Sequence, residues 1–155
     1  MTTKELMIGD IIGVTHEELG LVYAKVEYIN ETGDLMVRAD NDYMNGGYEC
    51  TIKECQPIEI TEKFLLKNGF AKGKDVCGIH DVYVHHSDKD EFGMSQNIVR
   101  VNFYEELGVL VNAERTCKDS RIGLHVKSAH RPDSQFVHQL QQVCRLCGIE
   151  IDWKL

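Results

Sequence analysis

The sequence has few of the features that would place it outside ordinary globular proteins. Only 2 of its 155 residues are proline and no low-complexity stretch occurs, which argues against a disordered chain. No apolar run approaches the roughly 18 residues that would span a bilayer, and the first ten residues lack the apolar stretch of a secretory signal. We therefore expect a folded cytoplasmic protein with no membrane partner.

Motifs that would name a reaction are also missing. There is no Walker-type phosphate loop, no dinucleotide-binding glycine pattern, no nucleophile elbow and no zincin helix. Carboxylates are plentiful, but a catalytic pair has no signature in one sequence. We predict no cofactor and favour a non-enzymatic protein, with a metal-dependent or cysteine-based enzyme as the second alternative.

Negative charge is concentrated near the amino terminus. Residues 1–60 contain 12 Asp or Glu against 4 Lys or Arg, whereas residues 61–155 contain 13 of each, so the net charge of −8 belongs to the first part. The net charge of a segment gives information about its binding partners rather than about its fold. It predicts an acidic module, residues 1–60, that meets a basic protein surface or mimics nucleic-acid charge, and a second module, residues 61–155.

The acidic module has the pattern of short strands separated by turn residues. From Val22 to Ile29, apolar residues alternate with more polar ones, which is the period of a half-buried strand. Further strands are predicted at Met7 to Val14, Leu35 to Ala39 and Tyr48 to Lys53. So many strands in so little sequence predict a small SH3-like β-barrel.

A connecting helix is predicted at residues 61–69. Thr61 is a natural N-cap, because its hydroxyl can accept an unpaired amide of the first turn. Gly69 supplies the left-handed residue of a Schellman stop, which would fold Phe70 back onto Leu65. Leu65 is therefore predicted to be a core residue.

The second module repeats the strand pattern over residues of about 79–128. Four strands are predicted, at Ile79 to His86, Asn97 to Tyr104, Gly108 to Arg115 and Arg121 to Ser128. Their apolar alternates, beginning with Val82 and Val84, predict one buried face of an antiparallel sheet and one polar face. A helix at residues 134–147 has an apolar stripe that would cover the buried face. Alternation at residues 149–153 predicts a last strand, and the whole is an α+β fold.

The six cysteines are expected to be reduced thiols in a cytoplasmic protein. Cys144 and Cys147 are the only close pair, and such a pair can serve redox chemistry or half of a zinc site. They lie on the apolar stripe of the predicted helix rather than at an exposed helix start. Core packing is therefore the favoured interpretation.

Histidines cluster in the first strand of the second module. His80, His85 and His86 lie there with Cys77 just before them, and imidazole is a common metal ligand. Side chains alternate across a strand, so His85 would point away from His80 and His86. We favour surface histidines, and a metal site that also uses Cys144 and Cys147 stays the weaker hypothesis.

One stretch of the chain is basic. Between residues 115 and 131, five cations stand against a single Asp: Arg115, Lys118, Arg121, Lys127 and Arg131. This stretch could contact phosphates. The solvated face of a hairpin is equally basic, so nucleic-acid binding is the alternative function and a protein partner the leading one.

Three short segments carry a resemblance to a known family, and we call them the anchors. They are residues 5–10 (ELMIGD), 57–70 (PIEITEKFLLKNGF) and 137–141 (VHQLQ). In this order they resemble a family of small uncharacterised proteins common in Bacteroidetes genomes, prophages and mobile elements. After residue 141 the chain departs from that family, whose aromatic residues are replaced by Val143-Cys144-Arg145. The resemblance implies a bacterial cytoplasmic protein and no activity. His138 and Gln139 are expected on or beside the exposed edge of the last helix.

Overall fold

The computed structural model describes residues 2, 6–39, 47–89, 95–104, 108–117, 120–127 and 136–154. Within these residues it is an α+β protein with two antiparallel five-stranded sheets and two α-helices, which confirms the predicted fold class. One compact unit consists mainly of residues 1–59 and 136–138, and the other of residues 60–135 and 139–154. We call them the N-terminal and C-terminal units.

The N-terminal unit is built from one curled sheet. Its strands are β1 (Ile11–His16), β2 (Gly20–Ile29), β3 (Asp34–Ala39), β4 (Tyr48–Thr51) and β5 (Cys55–Gln56), with a 3-10 turn (Ile52–Glu54) before β5. Their order is β4-β3-β2-β1-β5. Because β5 pairs with β1 instead of β4, the sheet curls into a half-barrel. The small SH3-like barrel was predicted from several short strands in this part of the sequence, and the sheet has five.

Alternate residues of these strands, together with Leu6 before β1, form the core of the N-terminal unit. The buried set is Leu6, Ile12, Val14, Ala24, Val26, Leu35, Val37, Ala39 and Cys50. Burying a Val, Leu or Ile side chain stabilises a fold by about 1.5–3 kcal/mol. The period-2 pattern therefore sets both the strands and the face that they bury.

The first strand begins at Ile11 and not at the predicted Met7. Ile8 and Gly9 form a turn, and Gly9 adopts a left-handed φ of 89°. The fully buried Asp10 stabilises this turn, because its carboxylate accepts a hydrogen bond of 2.8 Å from the Met7 amide. Its main-chain carbonyl accepts another, also 2.8 Å, from the Val26 amide.

The C-terminal unit contains α1 (Glu62–Lys67), β6 (Ala71–Lys74), β7 (Asp81–Lys89), β8 (Ser95–Tyr104), β9 (Gly108–Cys117), β10 (Ser120–Lys127) and most of α2 (Val137–Leu146). The sheet is a meander of order β10-β9-β8-β7-β6. The four predicted strands correspond to β7 through β10. Ser134 and Gln135, where the second helix was predicted to begin, lie outside the described residues.

Both predicted ends of α1 are confirmed. The Thr61 hydroxyl accepts the Phe64 amide at 3.2 Å. Gly69 has a φ of 81°, and the Phe70 amide donates to the Leu65 carbonyl at 3.1 Å, which is the long bond of a Schellman motif. Leu65 is fully buried and Phe70 nearly so, as predicted.

Strand β6 was not predicted from the sequence. Its four residues, Ala71 to Lys74, are all exposed and show no apolar alternation. The strand forms because it pairs with β7, where Lys72 and Lys74 both reach the carboxylate of Asp81, at 3.0 and 2.7 Å. Lysines on an edge strand also discourage pairing with other chains.

The buried face predicted for β7 was wrong. The register pairs Tyr83 with Val101 and His85 with Val99, so Tyr83 and His85 share the face that holds the buried valines of β8. Directly opposed residues point to the same side of a sheet. Val82 belongs to the other face, where it is also buried, so that face is not uniformly polar.

The chain after α2 forms no strand at residues 149–154, contrary to prediction. Asn68 holds this segment instead. Its side-chain amide accepts a hydrogen bond of 2.6 Å from the Lys154 amide and donates one of 3.2 Å to the Lys154 carbonyl. Trp153 stacks on Phe64 and Phe70, with centroids 5.9 and 6.3 Å away. The Asn68 side chain therefore makes the backbone hydrogen bonds that a neighbouring strand would otherwise make.

Candidate interaction surface of the N-terminal unit

The carboxylates that the structure describes in the N-terminal unit fall into two groups. Asp10 is buried, Glu27 pairs with Arg38, and Glu54 accepts hydrogen bonds from Thr51, so these serve the structure. The exposed group comprises Glu17, Glu18, Glu31, Asp34, Glu49 and Glu59. Asp34 is bonded within its own turn, where hydrogen bonds from Thr32 and Asn30 lower the pKa of its carboxyl. The other five present negative charge to solvent.

Glu17 and Glu18 lie together in the turn between β1 and β2, which we call the acidic turn. Next to it, three apolar side chains are exposed by 39%, 51% and 48%: Leu19, Leu21 and Tyr23. We call these three the apolar patch. Apolar side chains that lie together and are rimmed by charge are typical of interaction sites.

The apolar patch depends on a glycine in the neighbouring strand. Tyr23 pairs with Gly13, and Leu21 with Thr15, so both side chains stand on the outer face of the sheet. A Cβ at Gly13 would lie 2.9 Å from Leu21 Cδ1. Because Gly13 has no side chain, Leu21 can lie across β1 and extend the apolar surface.

The acidic turn continues into a corner that contains two aromatic rings. The ring centroids of His16 and Tyr48 are 5.2 Å apart, and the Glu18 amide donates to His16 Nδ1 at 3.3 Å. Partial burial raises the pKa of Tyr48, and the negative charges of Glu54 and Glu17 raise it further. Negative charge therefore converges on this corner from the acidic turn and the 3-10 turn.

The predicted metal candidates near β7 are spread apart. Cys77 is exposed in the turn before β7, His80 stacks edge-on against Tyr104, and His86 is exposed. His85 lies on the opposite face, as predicted, with its ring 5.2 Å from that of Phe70. Burial lowers the pKa of His85, and the neighbouring His86 lowers it further.

Cys144 and Cys147 are buried, as the core interpretation predicted. Burial raises the pKa of Cys144 to about 12. The Cys147 thiol donates to the Ala113 carbonyl at 3.5 Å, which places the end of α2 against β9. Thiols that stay protonated in a core are poor nucleophiles and poor metal ligands. In the part of the chain that the structure describes, no three His, Cys, Asp or Glu side chains group as a metal site.

Most of the predicted basic stretch lies outside the described side chains. This applies to Lys118, Arg121, Lys127 and Arg131, although the backbone of β10 is described. Arg115 has a structural role, since its guanidinium donates to the Gly148 carbonyl at 3.3 Å, just beyond the end of α2. A cation at a helix C-terminus interacts favourably with the helix dipole.

A second cysteine pair was missed by the sequence analysis. Cys50 in β4 and Cys55 in β5 have Sγ atoms 3.7 Å apart. Four residues separate them, and this C-x4-C spacing, which also occurs at zinc sites, was not singled out in the sequence analysis. The 3-10 turn between them is the reason for their approach, and only its capping pattern, Thr51 followed by Glu54, signalled it in the sequence.

The anchors of the family resemblance serve the structure. The Val137 amide donates to the Ile58 carbonyl at 2.8 Å, and Glu59 forms an isolated bridge with Phe136. His138 is buried, with 2% of its surface exposed, so its predicted place at an exposed helix edge was wrong. Gln139 is half-buried.

Neither helix of the described residues has the length and apolarity of a bilayer span. Comparison of the chain with protein-family models, with curated proteins and with solved structures found no match.

Proposed function

We propose that this chain is a non-enzymatic accessory protein whose N-terminal unit binds a basic, amphipathic segment of another protein. The observation that carries the proposal is the acidic turn beside the exposed apolar patch, Leu19, Leu21 and Tyr23. The resemblance to proteins of Bacteroidetes and their mobile elements suggests a bacterial setting.

The two parts of this surface would do different work. Apolar side chains stabilise a complex in proportion to the surface that they remove from water. Unpaired carboxylates of Glu17 and Glu18 attract positive charge, raise the association rate and disfavour acidic partners. Lys25, which follows Tyr23 on the same outer face, would orient the partner by repelling its basic end.

The partner is expected to be a protein rather than a nucleic acid. Phosphates are repelled by an acidic surface, and nucleic-acid binding would have to use the basic stretch between residues 115 and 131 instead. One cation of that stretch, Arg115, already holds the Gly148 carbonyl. Nucleic-acid binding is therefore an outcome to be tested.

The test is a pull-down from a lysate of the protein's own host at near-physiological salt, with and without nuclease, quantified by mass spectrometry. Wild type is compared with E17Q/E18Q and with L21A/Y23A. The charge control is E150Q/D152N, which removes the same charge from exposed positions of the C-terminal unit. The apolar control is I79A/L146A, whose side chains are 68% and 71% exposed.

We expect a discrete protein that survives nuclease, is lost at high salt and is recovered several-fold less by both test variants. Both controls should retain it. If the captured proteins are lost on nuclease treatment and are unchanged in E17Q/E18Q, the result would instead support nucleic-acid binding through the basic stretch. Equal losses in test and control variants would remove the proposed surface from consideration.

A further inference from the structure

Cys50 and Cys55 lie on the two edge strands of the curled sheet. In the order β4-β3-β2-β1-β5, Cys50 belongs to β4 and Cys55 to β5. No backbone ladder joins these two strands in the described residues. Their Sγ atoms are nevertheless 3.7 Å apart, because the 3-10 turn Ile52–Glu54 joins the two strands directly.

The turn between the two cysteines holds them in place. The Glu54 carboxylate accepts hydrogen bonds from the Thr51 amide at 2.7 Å and from the Thr51 hydroxyl at 2.8 Å. Cys55 then joins β1 through its pairing with Val14. The approach of the two thiols therefore follows from a capped turn and a strand pairing, and not from two freely rotating side chains.

The two thiols differ from each other in their burial and in the ease with which they ionise. Cys50 is 4% exposed, whereas Cys55 is half-buried and its thiol has both Cys50 Sγ and the Thr51 carbonyl within reach. A hydrogen bond from Cys55 lowers the pKa of Cys50, and the same bond together with burial raises the pKa of Cys55. One sulfur is thus easier to ionise, and a protonated partner stands beside it.

We propose that Cys50 and Cys55 form a reversible disulfide when the protein meets a peroxide, and that this bond closes the N-terminal half-barrel. A disulfide needs an S–S distance of about 2.05 Å, so the sulfur atoms must approach by about 1.7 Å. The proposal concerns the thiol pair alone and is independent of the proposed function.

The reaction balances as a two-electron oxidation of the pair. The Cys50 thiolate attacks one peroxide oxygen, the O–O bond breaks, and the departing oxygen takes a proton and leaves as water. Cys55 then attacks the sulfur of the resulting sulfenic acid. The S–S bond forms, the S–O bond breaks, and the hydroxyl leaves with the Cys55 proton as the second water. Two thiols are oxidised and one hydrogen peroxide is reduced to two waters.

The sequence makes this bond directly measurable. Trypsin cleaves after Lys53, between the two cysteines, and all six cysteines fall on different tryptic peptides. The proposed disulfide would link residues 39–53 to residues 54–63. The full-length protein is treated with graded hydrogen peroxide, blocked with an alkylating reagent, digested without reduction and mapped by mass spectrometry.

We expect the 39–53 to 54–63 link to be the first one formed, at a peroxide concentration several-fold below that of any other link, and to disappear after dithiothreitol. C55S should abolish it, and C77S, which removes an exposed thiol of the C-terminal unit, should leave it unchanged. If Cys77 oxidises while Cys50 and Cys55 remain separately alkylated, the proposal is wrong. The mapping uses the wild-type chain, so a variant that fails to fold does not affect the result.

Discussion

Two five-stranded antiparallel sheets in one chain end in different ways. In the N-terminal unit the last strand, β5, returns to pair with β1, so the sheet curls and its edges approach each other. In the C-terminal unit each strand pairs with the next, from β6 to β10. Both sheets contain strands in which apolar residues alternate with polar ones. Closure is therefore decided by the destination of one short strand and not by the pattern within the strands.

The two units also use their charges differently. In the C-terminal unit, Lys72 bridges Glu62 and Asp81 at 3.1 and 3.0 Å, and Arg100 pairs with Glu114. In the N-terminal unit, the single ion pair of the described residues joins Arg38 and Glu27. Exposed ion pairs contribute little to stability. The difference therefore bears on partners, since the described residues of the N-terminal unit include more exposed carboxylates without an ion pair than cations without one.

L65A is expected to lower the free energy of unfolding of the C-terminal unit more than any other variant described below. Leu65 is fully buried in the C-terminal unit, and truncation of such a leucine costs about 3 kcal/mol. Denaturation followed by the fluorescence of Trp153, the only tryptophan, reports on this unit. The control L66A changes a neighbour that is 47% exposed and should cost less than about 0.5 kcal/mol. Equal shifts in both variants would contradict the assignment of the core.

Oxidation of Cys50 and Cys55 should give the next largest effect, and in the N-terminal unit. A disulfide that closes a loop of about six residues stabilises by about 2 kcal/mol. The part of the far-UV circular dichroism transition that does not coincide with the Trp153 transition should therefore move to higher denaturant in peroxide-treated protein, while the Trp153 transition stays in place. An equal shift of both transitions would contradict this expectation, because it would mean that the two units unfold in one cooperative step.

A smaller loss is expected from G69A. The φ of 81° at Gly69 is strained by about 1–2 kcal/mol for any residue with a Cβ. The control G73A has room, since a Cβ there would lie 3.9 Å from its nearest neighbour, the Val82 carbonyl. Trp153 fluorescence should show a lower unfolding midpoint for G69A alone. A loss of the same size in G73A would point to a general intolerance of alanine in this region.

The smallest effect is a pH dependence in the C-terminal unit. Burial lowers the pKa of His85 from 6.5, so the unfolded chain binds this proton more readily than the folded protein. The free energy of unfolding should therefore fall as the pH drops through about 6.5, until the folded histidine is also protonated. Denaturation midpoints across this range should depend less on pH in H85Q.

The control for this effect is H86Q, which removes an exposed histidine and should keep most of the pH dependence, because burial is the larger cause of the shift at His85. An unchanged slope in H85Q would assign the effect to another group.

Local signals predicted the elements whose structure depends on near neighbours. Thr61, Gly69 and Leu65 lie within one short segment, and a cap, a left-handed glycine and a buried leucine follow from their spacing. Strand β6 and the face of β7 could not be predicted in this way. The first forms only through its partner strand, and the second depends on a register that one residue would invert.

The candidate surface was predicted only as a charge. Counting residues located the acidity in the first 60 positions, but the acidic turn, Glu17 and Glu18, and the apolar patch beside it became visible only when β1 and β2 were paired. The cysteines show the same limit. Cys144 and Cys147 are closer in sequence and buried, whereas Cys50 and Cys55 are further apart in sequence and have their sulfur atoms 3.7 Å apart.

The amino-acid sequence by itself determined the α+β class, the acidic and neutral halves, the capped helix α1 and the burial of Leu65. These depend on composition and on contacts within a few residues. Only the tertiary structure decided that β5 pairs with β1 and that Asn68 holds the C-terminal segment. Such contacts join residues that lie far apart in the sequence, and a local pattern does not specify which distant segments meet.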